Sequence, residues 1–160
     1  MKTFTDNAGR TWTVAINIDA VKRVRSLLNV DLLDITDGKL VKRLISDPVL
    51  LCDVIYVVCR PEAETKNVSD EDFGRAMAGD AIEHATTALL DELVNFSPNQ
   101  RDRKSAQRVL QKTWQVMDRA RDLVERKIDS ELDQVAERAL ANAGLSPGDS
   151  QESSESTPAH

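Results

Sequence analysis

The chain has 160 residues, of which 41% are hydrophobic and 30% charged, enough for one domain with a sizeable core and an ordinary composition for a protein in water. It has no apolar run long enough for a transmembrane helix, and its start, MKTFTDNAGR, lacks the apolar core of a signal peptide, so a cytoplasmic protein without a membrane span is expected. The net charge of −6 argues against nucleic acid as the main partner.

Lys2 to Ile16 reads as a β-hairpin. Phe4, Trp12, Val14 and Ile16 alternate with polar or small residues, and Asp6-Asn7-Ala8-Gly9 between the two runs is turn chemistry. Such a hairpin is marginal alone, so its apolar face, anchored by Trp12, must rest on helices. A helix then starts at Ile18-Asp19 with Asp19 as N-cap. It buries Val21, Val24, Leu27 and Leu28 and turns Lys22, Arg23 and Arg25 outward.

Val30 to Ile35 is expected as a short strand beside the hairpin, broken off by Asp37-Gly38. Lys39 to Ser46 forms a short helix with Leu40, Val41, Leu44 and Ile45 inward. Asp47-Pro48 opens the next helix, since Asp caps and proline suits the first turn. Its body, Val49 to Cys59, is apolar nearly all round, so it is the core helix. Its one charge, Asp53, sits at the helix edge or pairs with an arginine. Arg60-Pro61 is expected to end this helix, with Glu62 to Asn67 as a polar connection. Cys52 and Cys59 lie two helical turns apart, about 10 Å, too far for a mutual disulfide, and read as reduced core residues.

Val68 to Phe96 carries the clearest helix signal. Ser69 is the N-cap, Asp72 occupies the capping-box position, and Val68 and Phe73 form a hydrophobic staple. Phe73, Met77, Ala81, Ala85, Leu89 and Leu93 recur every four residues, with Ala88 and Phe96 widening the stripe. One helix of roughly 40 Å is expected, ended by Ser97-Pro98. Gly74 and Gly79 mark either close packing or local flexibility in its first half.

A long amphipathic helix is expected from near Arg101 to about Asn142. Its narrow stripe is Leu110, Trp114, Met117, Val124, Ile128, Leu132, Val135 and Ala139. A stripe that narrow on a helix that long suits a two- or three-helix contact and not the main core. Leu110, Trp114, Met117, Val124 and Ile128 are therefore the candidate partner-binding residues. Asp129-Ser130 favour caps over helix interiors and offer a place for a break, and Ala143-Gly144 a stop. Ser146 to His160 has no apolar run and is expected to be disordered. The resulting fold class is mainly α with a small N-terminal β-hairpin. Residues 1–97 form the hairpin and helical core, 98–143 the long helix and 144–160 a tail.

Charge is uneven along the chain. Residues 61–100 carry nine acidic and two basic side chains, and residues 101–127 nine basic and four acidic. These are solvated faces or segments that attract one another within a chain or between copies. No catalytic constellation stands out: there is no phosphate-binding glycine loop, no nucleophile elbow, and only His84 and His160 as imidazoles. No metal site or cofactor is expected, and His84 reads as a boundary residue beside an apolar stripe.

The layout resembles a known family. Phe4, Asp6, Gly9, Arg10 and Trp12 form F-x-D-x-x-G-R-x-W. A DP-started apolar helix follows, with Leu50, Leu51, Val54 and Tyr56. Then S-D-E-D-F, Ser69 to Phe73, heads a helix that closes with Leu93 and Phe96. Over residues 1–97 this looks like the small tail assembly chaperones of long-tailed bacteriophages and prophages. The resemblance implies a non-enzymatic protein of the bacterial host cytoplasm. It would bind the long apolar tape measure protein and keep it soluble while tail tube subunits assemble. The family has short and extended products, and the part beyond residue 100 departs from the short form. Two other readings stand beside it: a nucleic-acid-binding regulator using the basic helix 101–127, and a structural homo-oligomer held by the long helices.

Overall fold

A computed structural model describes residues 1–97 and 99–144. The expected disordered tail from Ser146 onward lies outside the described residues. Elements follow in the order β1 (Lys2–Thr5), β2 (Thr11–Val14), α1 (Ile18–Leu28), α2 (Lys39–Ser46), α3 (Pro48–Thr65), α4 (Asp70–Ala76), α5 (Asp80–Phe96) and α6 (Gln100–Asn142). The class is the expected one: mainly helical, with one antiparallel hairpin at the start. The chain divides into two compact units, residues 1–115 and residues from 116 onward.

In the first unit β1 and β2 pair with Phe4 opposite Trp12 and Lys2 opposite Val14. One face of the hairpin lies on α5 and α3, and α1 and α2 pack on α3. Phe73 of α4 is the aromatic hub. Its ring centroid is 5.1 Å from Trp12, 5.4 Å from Tyr56 and 6.5 Å from Phe4. Trp12, Val24, Leu44, Val54, Ile55 and Leu89 are fully enclosed, so the hairpin and helices share one core.

The long central helix is in fact two. The backbone leaves the helix at Met77 (ψ 93) and turns at Gly79 (φ 55, ψ −126), a conformation that side-chain-bearing residues rarely adopt. The hairpin turn takes the carbonyls that the break frees. Asn7 donates from its backbone to Ala76 O at 3.0 Å and from its side chain to Ala78 O at 2.9 Å. Gly79 therefore serves backbone conformation and not close packing, because a Cβ there would meet nothing within 4 Å. Both pieces keep the predicted stripe buried, and Ser69 caps α4, accepting from Asp72 N at 3.1 Å.

The core helix does not stop at Arg60-Pro61 but runs on to Thr65. Proline inside a helix leaves the carbonyl four residues earlier without a donor, here that of Val57. Arg23 supplies one: its Nε lies 3.3 Å from Val57 O, and its Nη2 lies 3.2 Å from Val58 O. Arg23 is thus no outward-facing cation but a tie from α1 to α3, held also by an ion pair with Asp19. The added turn places Glu62 to accept from Thr13 N at 2.8 Å, fixing β2 to α3.

Asp19 is not the cap of α1; Asn17 is, accepting from Ala20 N at 2.8 Å, while Leu27 is 52% exposed. Val30 to Ile35 is not a strand. Asp31 accepts from Leu33 N at 3.0 Å and pairs with Arg25 at 2.8 Å, so local aspartate bonding outcompetes a ladder. Val30, Leu32 and Ile35 are still buried. After this segment Gly38 (φ 75) lies so close to α6 that a Cβ would stand 2.9 Å from Val109 Cγ1. Asp129-Ser130 does not interrupt α6, which is continuous to Asn142.

Candidate functional site

The first turns of α6 belong to the core of the first unit. Ala106 and Leu110 are buried there, and with Ile35, Val41, Leu90, Leu93 and Val94 they line a void of about 10 Å³. That space holds at most a single water and no ligand. Trp114 is half-buried against the same core. Of the five candidate partner-binding residues, then, Leu110 and Trp114 are engaged within the unit.

The second unit treats the same stripe differently. Met117 is half-buried, but Val124, Ile128, Leu132 and Val135 are 57%, 50%, 61% and 61% exposed. Helical spacing puts these residues and Ala139 on one side. Val116 and Leu123, both 64% exposed, lie roughly 120–140° round the helix from Ile128 and are not part of this face. An aligned run of large aliphatic side chains in water is unusual for scattered surface positions and is what a contact face looks like.

The opposite side of the first turns of α6 is basic. Gln100, Arg101, Lys104, Ser105 and Arg108 line a shallow surface groove. Lys104 and Arg108 lie one turn apart, as do Arg108 and Lys112, an arrangement of like charges that weakens an isolated helix.

Several other polar groups have structural roles, while Arg103 Nε is buried without a hydrogen-bond partner among the described residues. Asp6 is enclosed and saturated: Oδ1 accepts from Ala8 N and Arg10 N, each at 2.9 Å. Oδ2 accepts from Arg10 Nε at 2.7 Å and Trp12 Nε1 at 2.8 Å. Burial pushes this carboxyl up, but the bonds from Trp12 and Arg10 and the guanidinium charge outweigh it and hold the group below the ordinary value. Arg10 also donates to Asp72 O at 3.1 Å, which ties the hairpin to α4.

Burial pushes the Cys59 thiol up to about 12, and burial followed by the nearby Asp53 charge raises Cys52. Neither is an activated nucleophile. Asp53 sits at the helix edge, raised by partial burial and by the charges of Asp70 and Asp47. His84 is exposed on α5. Among the described residues no group of three or more His, Cys, Asp or Glu side chains is placed to hold a metal ion.

Two features escaped the sequence reading. Arg23 was hidden because its partner is a carbonyl freed by a proline in another helix. The division of the stripe after Trp114 had no clear signal, since Leu132 of the exposed part is the same residue type as the buried Leu110. No protein-family model, characterised protein or solved structure matches the chain.

Proposed function

We propose that the chain is a non-enzymatic binding protein of the phage tail assembly chaperone type, which holds the tape measure protein soluble while tail tube subunits assemble. The observation that carries the reading is the exposed aliphatic run Val124, Ile128, Leu132 and Val135 in the second unit, whereas the same stripe is buried at Ala106 and Leu110 in the first. A holdase needs an apolar surface its own fold does not consume, together with charge enough to stay soluble. The stripe offers the first, and the net charge of −6 the second. The identity of the client rests on the resemblance over residues 1–97, and its mode of binding on helix-against-helix packing of apolar stripes.

The test is co-expression with the tape measure protein encoded nearby. The soluble fraction of that protein should rise, and Ile128→Glu or Val135→Glu should abolish the gain. Equal solubility with and without the chain defeats the proposal. A coding neighbourhood lacking both a tail tube gene and a very long tape measure gene removes the choice of client. Salt-sensitive binding to DNA or RNA, weakened by Arg→Ala changes at Arg101 and Arg108, would instead support the regulator reading.

A further inference from the structure

The exposed stripe has an order that a general contact face does not need. Its seam positions are Met117, Arg121, Val124, Ile128, Leu132, Val135 and Ala139, separated by four, three, four, four, three and four residues. The series reads the same from either end, with Ile128 at its centre. It also repeats every eleven residues, close to the period of a straight helix, so the seam stays on one side of α6 without strong supercoiling.

We propose that a second copy of this chain covers this face, its α6 running in the opposite direction, with the two Ile128 side chains meeting on the two-fold axis. In that register Val124 lies opposite the second copy's Leu132, and Met117 opposite its Ala139, larger against smaller at each level. Arg121 lies opposite Val135, with its aliphatic stem along the seam and its guanidinium at the edge. A contact of this kind is isologous and closes on itself, so it makes a dimer and not a filament.

Charge decides the direction. A parallel pair in register sets Arg121 against Arg121 in the seam. It also sets the acidic ends together, since residues 129–142 carry four acidic side chains and one basic, while residues 114–127 carry four basic and three acidic. Reversal places each acidic end beside the less acidic half of the other copy and brings Asp129 level with the second copy's Lys127 and Glu137 level with its Arg119, against one like-charged level, Glu131 with Glu125. Residues 117–139 span about 33 Å. A specific interface takes about 800 Å² from each partner, and a helix pair of this length is at the small end of that range, so the dimer should dissociate in the micromolar range.

The inference concerns the chain alone and does not need the client; where the function proposed above holds, copy and client compete for one face. The experiment is sedimentation or light scattering of the full chain, without any client, from micromolar to millimolar concentration. The mass should double with concentration, and Ile128→Glu should weaken association by about tenfold or more while far-UV circular dichroism stays unchanged.

Direction is read by oxidation in a Cys52→Ser background. A mixture of Val124→Cys and Leu132→Cys chains should cross-link, and each alone should not. A monomer at every concentration overturns the proposal, and a monomer that associates only when an apolar client helix is added does so while leaving the proposed function standing. A dimer indifferent to Ile128→Glu, or Val124→Cys chains that cross-link alone as well as in the mixture, overturns it too.

Discussion

The two ends of α6 have the same sequence pattern and opposite fates. In its first turns the stripe residues Ala106 and Leu110 are 2% and 8% exposed, sealed by α5, α2 and the segment before it. From Val124 onward residues of the same kind at the same spacing stand half or more in water. Periodicity thus tells which side of a helix makes contact, but not whether the contact is supplied by the same chain. The first unit satisfies its freed carbonyls and the Asp6 carboxylate internally and buries most of its apolar stripe positions, Leu27 excepted. The second has one stripe left over.

The most severe way to break the contrast is through the core of the first unit. Val54 on α3 is completely enclosed, and Val54→Asp buries a charge without a partner, at a cost of about 4 kcal/mol or more. The cooperative thermal transition should be lost. A variant that melts like the parent would show that α3 is not the element the first unit is built on.

Next in size is Asp6→Ala, expected to cost about 3 kcal/mol because four donors, the Trp12 indole among them, lose one acceptor group. The same carboxylate sets an acid limit. Its value is depressed in the folded state, so its contribution is present in full above the ordinary carboxylate range and fades as pH falls through the depressed value. Stability of the parent should therefore drop more steeply below about pH 4 than that of Asp6→Ala. Chemical denaturation at several pH values would show parallel curves if the bonds to Asp6 were unimportant.

Leu110→Ala comes third, at about 2 kcal/mol for a large side chain removed from a packed wall. The fourth is a coupled pair. Arg23→Ala should cost about 1–2 kcal/mol through the Val57 and Val58 carbonyls it leaves. In a Pro61→Ala background the restored N–H can take Val57 O, so the cost should shrink. Additive effects in that double-mutant cycle would mean that the bond to Val57 O contributes nothing and that Arg23 acts through Val58 O and Asp19 alone.

Much of the first unit was legible because its signals are local. The Asp47-Pro48 start, the Ser69 cap, the Val68-Phe73 staple and the alternation around Trp12 each depend on neighbours within a few residues, and each is realised. What was not legible depends on groups far apart in sequence. The break before Gly79 is held by Asn7, and the passage of α3 through Pro61 by Arg23. At Val30 to Ile35 the burial pattern was readable but the backbone was not, because Asp31 and Asp37 bond to amides two residues on. For the candidate site the stripe itself was legible. Its division into an engaged and an exposed part was not, since that turns on where α5 and the segment before α2 end.

A single truncation at each end of α6 compares the buried and the exposed part of the stripe directly. Ile128→Ala removes as much aliphatic surface from the same stripe as Leu110→Ala, yet from a residue already 50% exposed. Measured at concentrations below any self-association, the first unit's transition should move by no more than about 0.5 kcal/mol. The same substitution should still weaken capture of a client helix, because the cost of deleting a contact appears only in the state that makes it. If Ile128→Ala instead destabilises the isolated chain as much as Leu110→Ala does, the stripe beyond Val124 is packed against its own fold, and neither a client nor a second copy is needed to explain it.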